Sequence, residues 1–202
     1  MKRIVFYIDG FNFYYGLKSR SWKKYYWLDF VKFFNQFVRD TDELVNVLYF
    51  TAIPKEQGKK DRQDLLFSAN KLNPKFKIIF GKYLQKRRII NGQVCLTFEE
   101  KQTDVNIAVY MVRNVLYKNC DVSVLVSADS DLLPVLDLIR EIDPLHKINV
   151  FFPPLRHSVD LETHADYSIK LIRYEHRLKK SILPDEITLP NGYIIKRPSN
   201  WI

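Results

Sequence analysis

The chain has 202 residues, 47% hydrophobic and 14% aromatic, with 32 Lys and Arg against 23 Asp and Glu for a net charge of +9. This apolar content excludes a disordered chain, and with no long Gly/Ser/Pro-rich linker the length fits one domain with a decorated end. No apolar run reaches membrane-spanning length, and Cys95 and Cys120 lack the spacing of a zinc site or a disulfide framework. The basic balance suits a polyanionic partner and equally an ordinary solvated surface. Met-Lys-Arg running directly into a strand reads as a start without a secretion or anchoring signal, which with the two cysteines points to a reducing cytoplasm.

Residues 3–8 read as a buried strand ending at Asp9, and 11–19 as a short helix. Then comes Ser19-Arg20-Ser21-Trp22-Lys23-Lys24-Tyr25-Tyr26-Trp27. Cations and large aromatics interleave there as they do where a protein tracks phosphates and stacks bases; aromatics packed under a loop with Lys23 and Lys24 merely solvated is the equal alternative. Asp29 caps a helix whose Phe30, Phe33, Phe34 and Phe37 recur at helical spacing and belong to the core. A second strand covers 44–53 and stops at Pro54, a helix covers about 60–72 up to Asn73-Pro74, and a third strand runs from Phe76 to Tyr83.

Between Lys86 and Glu99 the pattern changes. Arg88-Ile89-Ile90 and Gln93-Val94-Cys95-Leu96 flank Asn91-Gly92, the pair preferred in tight hairpins, so this stretch reads as a two-stranded insertion or sheet-edge arm. Lys75, Lys77, Lys82, Lys86, Arg87 and Arg88 make the region the most basic of the chain, a candidate phosphate-tracking surface or a set of ordinary edge-strand charges.

On a helix over about 102–118, Asp104 heads a stripe with Ile107, Ala108, Met111, Val112 and Val115, while Asn106, Tyr110, Arg113 and Asn114 take the more polar side. A carboxylate on an apolar face needs a cation, a hydrogen-bond cage or a metal, unless it is simply a helix-start acid favoured by the dipole. Residues 121–127 form a further strand, which breaks at Ser127-Ala128-Asp129-Ser130-Asp131 before a helix through Leu132, Leu133, Val135, Leu136 and Ile139 that tolerates Pro134 in its first turn. Two strands, ending at Asp9 and Asp129, thus deliver acids to one edge of an α/β sheet, where such folds place their crevice. Ser130, Asp131 and Asn12 could each cap a helix instead, but capping does not account for Asp9, Asp129 and Asp131 together. A strand at 147–152, a short helical return at 157–164 and a strand at 167–172 follow. Residues 181–202 read as a wrap over the domain or a docking segment for a protein partner, and the sequence leaves a homodimer open.

Three segments together resemble the NYN domains, relatives of the PIN-type nucleases: Ile8-Asp9-Gly10-Phe11-Asn12-Phe13-Tyr14, Lys101-Gln102-Thr103-Asp104-Val105 and Ser127-Ala128-Asp129-Ser130-Asp131-Leu132. His157-Ser158, Leu161 and Ala165-Asp166-Tyr167 are similar to the family's closing pattern, so the resemblance covers roughly 3–172. It implies a three-layer PIN-like, Rossmann-like α/β fold with a mostly parallel central sheet and a hairpin insertion, a nuclease domain over 1–175 and a tail over 176–202. It further implies Mg²⁺ or Mn²⁺ held by Asp9, Asp104, Asp129 and Asp131, with Asn12 orienting a metal water or the phosphate, for endonucleolytic hydrolysis of RNA, single-stranded or in structured loops. Hard cations of this kind take oxygen ligands and can acidify a water, which agrees with the acids read from the residues. Lys23, Lys24, Lys82, Lys86, Arg87, Arg88 and Lys101 are the candidate RNA-binding cations. Ala128 stands where the family usually has Gly, Leu132 where it has Phe, and Tyr110 where members often carry a further Asp, which leaves one-metal chemistry or a non-catalytic binding module as alternatives. The chain lacks the Gly-x-Gly-x-x-Gly and Walker A patterns of nucleotide-binding folds, and Phe11 replaces the second acid of an Asp-x-Asp phosphatase.

Overall fold

The computed structural model describes residues 1–90 and 93–202, with side chains except at 85, 86 and 88–100. Strands β1 (Arg3–Asp9), β2 (Glu43–Thr51), β3 (Phe76–Phe80), β6 (Val122–Val126), β7 (Lys147–Phe152) and β8 (Tyr167–Lys170) form one sheet in the order β3-β2-β1-β6-β7-β8. Every neighbouring pair is parallel, so the connections must cross over the faces and both faces must be apolar.

Alternation along the strands sorts the core. In β1, Ile4, Phe6 and Ile8 enter one hydrophobic layer while Val5 and Tyr7 enter the other, and β2 splits Val47 and Tyr49 from Leu48 and Phe50 in the same way. The first layer is covered by α1 (Gly10–Ser19), α2 (Phe30–Asn35) and α3 (Gln57–Asn70), with Phe13, Phe30, Phe33, Phe34 and Phe67 packed on it. Asp29 caps α2 as read from the sequence, its Oδ1 accepting from Lys32 N at 2.8 Å. The second layer is covered by α4 (Thr103–Leu116), α5 (Leu133–Ile142) and α6 (Val159–His164), through Ile107, Met111, Val115, Val135, Leu136, Ile139 and Leu161.

Several boundaries differ from the sequence reading. The third strand stops at Phe80, and after Gly81 the chain enters a separate antiparallel hairpin, β4 (Lys82–Ile90) with β5 (Gln93–Lys101), so the insertion is not an edge of the main sheet. The pair Asn91-Gly92 and the side chains of Lys86 and Arg88 lie outside the described residues. The last strand ends at Lys170; a 3-10 turn, Leu171–Tyr174, and helix α7 (Glu175–Lys180) replace its expected continuation, because Leu171 and Leu178 are both drawn into the first core layer.

Beyond α7 the chain forms a small hairpin, β9 (Glu186–Thr188) with β10 (Ile194–Lys196), and a final turn at Ser199–Trp201. Leu183 N donates to Trp27 O at 3.0 Å, Trp27 Nε1 donates to Pro184 O at 2.7 Å, and the Trp201 ring sits edge-on to Tyr26 at 5.7 Å. These contacts bury Tyr26 and Trp27 beneath the C-terminal segment, and the buried Tyr25 donates its hydroxyl to Glu175 Oε1 at 2.7 Å, while Lys23 and Lys24 stay exposed. Among the described residues no helix is long and apolar enough to cross a membrane.

Candidate metal centre

The register of the central strands builds the site. Ile8 pairs with Val126, so the residues that follow, Asp9 and Ser127, leave the sheet side by side at its C-terminal edge. Asp9 is 2% exposed and caps α1, its Oδ1 accepting from Asn12 N at 3.0 Å. Its Oδ2 accepts from Asn12 Nδ2 at 2.6 Å and from the buried Ser127 hydroxyl at 2.8 Å. The Ser127 oxygen in turn accepts from Asp129 N at 3.1 Å, which fixes the loop carrying the next acid. Asp129 caps the 3-10 turn Ser130–Leu132, accepting from Asp131 N at 3.0 Å. The caps are therefore Asp9 and Asp129 themselves; Asn12, Ser130 and Asp131, the capping alternatives of the sequence, do not serve.

Asp104 arrives from the opposite core layer. It lies in the first turn of α4, just after Gln102, whose φ of 77° is left-handed. That costly conformation turns the chain sharply from the hairpin into the helix. The result is that one carboxylate oxygen from each of Asp9, Asp104 and Asp129 lies within 4.8 Å of the others. Asp131 is exposed and is not one of this group.

Burial is the largest influence on the Asp9 carboxyl and raises its pKa. The hydrogen bonds from Asn12 and Ser127 oppose that effect, and the neighbouring Asp129 charge adds to it. Three acids in one crevice are costly without a cation, and their donor set fits one: three hard oxygen atoms from three elements, close enough to share a small divalent ion. Asp9, Asp104 and Asp129 could hold a metal ion.

The candidate RNA-binding cations occupy two places. Lys82 and Lys101 are paired in register at the base of the hairpin, and Arg87 is exposed farther along it. Lys23 and Lys24 lie on the 3-10 turn Lys23–Tyr26, where Lys24 approaches Glu175 at 3.5 Å and lies 4.9 Å from the Tyr25 ring centre. Tyr110 packs its ring against Phe50 at 5.6 Å with Arg113 over it, and Asn114, expected on the polar side of its helix, is instead buried and donates to Tyr7 Oη at 2.8 Å. The residue the sequence reading passed over is Ser127. Its position two before Asp129, at the buried end of a strand, was the available signal.

A model of the NYN domain family matches residues 3–172. The chain belongs to the NYN domain family. This NYN domain is 25% identical over 244 aligned residues to 6-hydroxy-3-succinoylpyridine 3-monooxygenase HspA of Pseudomonas putida (strain DSM 28022 / S16), an alignment covering 98% of the chain and 75% of that protein. Its fold is similar to a crystal structure of a protein of unknown function from Vibrio parahaemolyticus, with a TM-score of 0.59 at 20% identity over 83% of this chain and 91% of the other. The second likeness concerns the fold alone.

Proposed function

We propose that this NYN domain is a metal-dependent endoribonuclease that hydrolyses phosphodiester bonds in single-stranded RNA or in exposed loops of structured RNA. The observation that carries the reading is the meeting of Asp9, Asp104 and Asp129 at the C-terminal edge of a parallel sheet in a chain with an excess of 9 positive charges. Asp9, Asp104 and Asp129 would hold Mg²⁺ or Mn²⁺, with Asp131 reaching it through a water. Such an ion supplies Lewis-acid polarisation of a phosphate oxygen and an acidified water as nucleophile. Asn12 and Ser127 hold the Asp9 carboxylate in one orientation, so that its outward lone pairs are presented without rearrangement. Lys23, Lys24, Lys82, Lys86, Arg87, Arg88 and Lys101 would bind the RNA backbone and position it across the edge. A cytoplasmic setting agrees with the sequence.

Three carboxylates and no imidazole suit a hard divalent ion rather than the two-histidine, one-carboxylate iron site of many oxygenases. Tyr110, packed as an aromatic where the resemblance anticipates another acid, favours a second reading, a nucleic-acid-binding module that keeps the fold.

Labelled single-stranded RNA incubated with the protein and Mn²⁺ separates the two. Cleavage is expected with metal, absent in EDTA, and reduced at least ~100-fold in Asp9→Asn and Asp129→Asn. Binding that persists in all three proteins without any cleavage would establish the module.

A further inference from the structure

A cavity of about 620 Å³ lies on the side of the sheet edge that follows Asp9 in the chain, with none of the three acids in its lining. Its wall starts at Gly10 and Phe11, the two residues that follow Asp9, and includes Tyr14, Tyr15 and Tyr26 from the segment after β1. The lining also includes Asn200 and Trp201, which lie beyond residues 3–172 matched by the family. The volume is in the range of small-molecule sites. The lining is aromatic, with Tyr14 5.0 Å from Tyr26 and 5.2 Å from Tyr15 between ring centres, and Tyr15 is 44% exposed at the mouth.

Charge at the mouth is one-sided. Lys18, Lys23, Lys55, Lys59 and Arg62 line the cavity together with a single carboxylate, Glu56, which Lys59 pairs at 2.6 Å. Among the described residues Lys18, Lys23 and Lys55 have no carboxylate partner. Lys18 Nζ lies over the Tyr15 ring at 5.6 Å, and an aromatic wall under these cations, next in the chain to Asp9, calls for a ligand that is planar, apolar on its faces and anionic at one end. A nucleotide has that chemistry: the base stacks and the phosphates meet the lysines.

We propose that the cavity seats a base splayed out of the single strand whose neighbouring phosphodiester lies at Asp9, Asp104 and Asp129. The inference rests on the hydrolase reading and assigns its substrate contact. Holding one base off the stack fixes the register of the backbone at the acids. It also favours unpaired RNA over a duplex, because a paired base would have to be extracted first. Gly10 and Phe11 join the base pocket to the Asp9 carboxylate along the chain.

The test uses the whole 202-residue chain carrying Asp9→Asn, in which cutting is expected to be suppressed, and a short single-stranded RNA carrying 4-thiouridine. Crosslinks are expected within residues 11–26 or at Trp201. In EDTA, Tyr15→Ala should weaken RNA binding, read by anisotropy, about tenfold, with recovery in Tyr15→Phe because the ring is what stacks. The pair Lys23→Gln and Lys55→Gln should lower the slope of log affinity on log salt by about 1.4. If Tyr15→Ala binds like its parent and crosslinks fall only on the hairpin, while unmodified protein still cuts RNA, the base pocket is wrong and the hydrolase stands. RNA neither bound nor cut overturns both. Quenching of tryptophan emission by nicotinate, with no RNA binding, overturns the proposal in favour of a small aromatic acid.

Discussion

At the scale of single residues, the acids of this chain divide by what surrounds them. Asp9 is caged by neutral donors and lies beside two other carboxylates, whereas Asp166 is surrounded by cations. Partial burial pushes the Asp166 carboxyl up, but the backbone N–H of Ile148 at 2.9 Å, Lys147 Nζ at 2.9 Å and Arg140 overcome it and hold its pKa at about 2. Asp166 thereby ties β8 to β7 and α5, a structural task for one of the residues in the closing pattern that resembles the family's. Because this folded-state pKa lies below the unfolded value, the contribution is present above pH ~4 and is lost as the pH falls toward 2. A fully shielded group with that shift would give roughly 2.5 kcal/mol; since solvent reaches this one, we expect about 1 kcal/mol. Urea unfolding between pH 5 and 2 should show the loss in the parent and a flatter curve in Asp166→Asn.

At the scale of elements, the junction of β1 and α1 carries the most constraint. A methyl group at Gly10 would lie 2.6 Å from Phe50 O and 2.6 Å from Tyr49 Cε1, both parts of the neighbouring strand. Only glycine lets the helix begin this close to β2, and that closeness sets Asp9 on the sheet edge. Gly10→Ala should cost about 2 kcal/mol in denaturant unfolding, since neither a strand carbonyl nor a buried ring can yield cheaply. Activity should fall further than the stability loss alone explains, because the displaced helix carries Asn12, the clamp on the Asp9 carboxylate. The entry to α4 is the second such junction, where the left-handed Gln102 turns the hairpin into the helix bearing Asp104.

At the scale of the whole molecule, a divalent ion would act as a staple between the two core layers. Asp9 extends from the central strand, Asp104 from a helix on one face and Asp129 from the loop after β6, so their shared ion would join three elements that otherwise meet only at the edge. Saturating Mn²⁺ should therefore raise the melting temperature by several degrees over protein in EDTA. In Asp9→Asn most of that rise should vanish, while the EDTA value should move less, because the substitution removes a buried charge from a like-charged cluster but turns one oxygen that accepts from Asn12 or Ser127 into a donor. Calorimetry with and without metal checks both statements.

The order of strands and helices was legible because it rests on periodicity, and the resemblance to the NYN domains implied the parallel sheet with helices on both faces. Apolar runs of strand length, helices with a 3.6-residue stripe and acids at strand ends are local properties of the chain. Asp9, Asp104 and Asp129 could be named from those patterns. Their meeting at one edge was expected from the two strand ends and from the resemblance, but the approach within 4.8 Å depends on β1 pairing with β6 and on where α4 starts after the hairpin. The same holds for Tyr25, Tyr26 and Trp27, whose interleaving with lysines pointed equally to RNA contact or to packing. The C-terminal hairpin and Trp201 decided the packing and, with it, the wall of the cavity. Sequence by itself determined most strands and helices of the central sheet and its two layers, and which residues carry charge, because both follow from neighbours along the chain. Tertiary structure alone decided which of them meet, because contacts between distant segments are fixed by strand order and register, and these are properties of the assembled sheet.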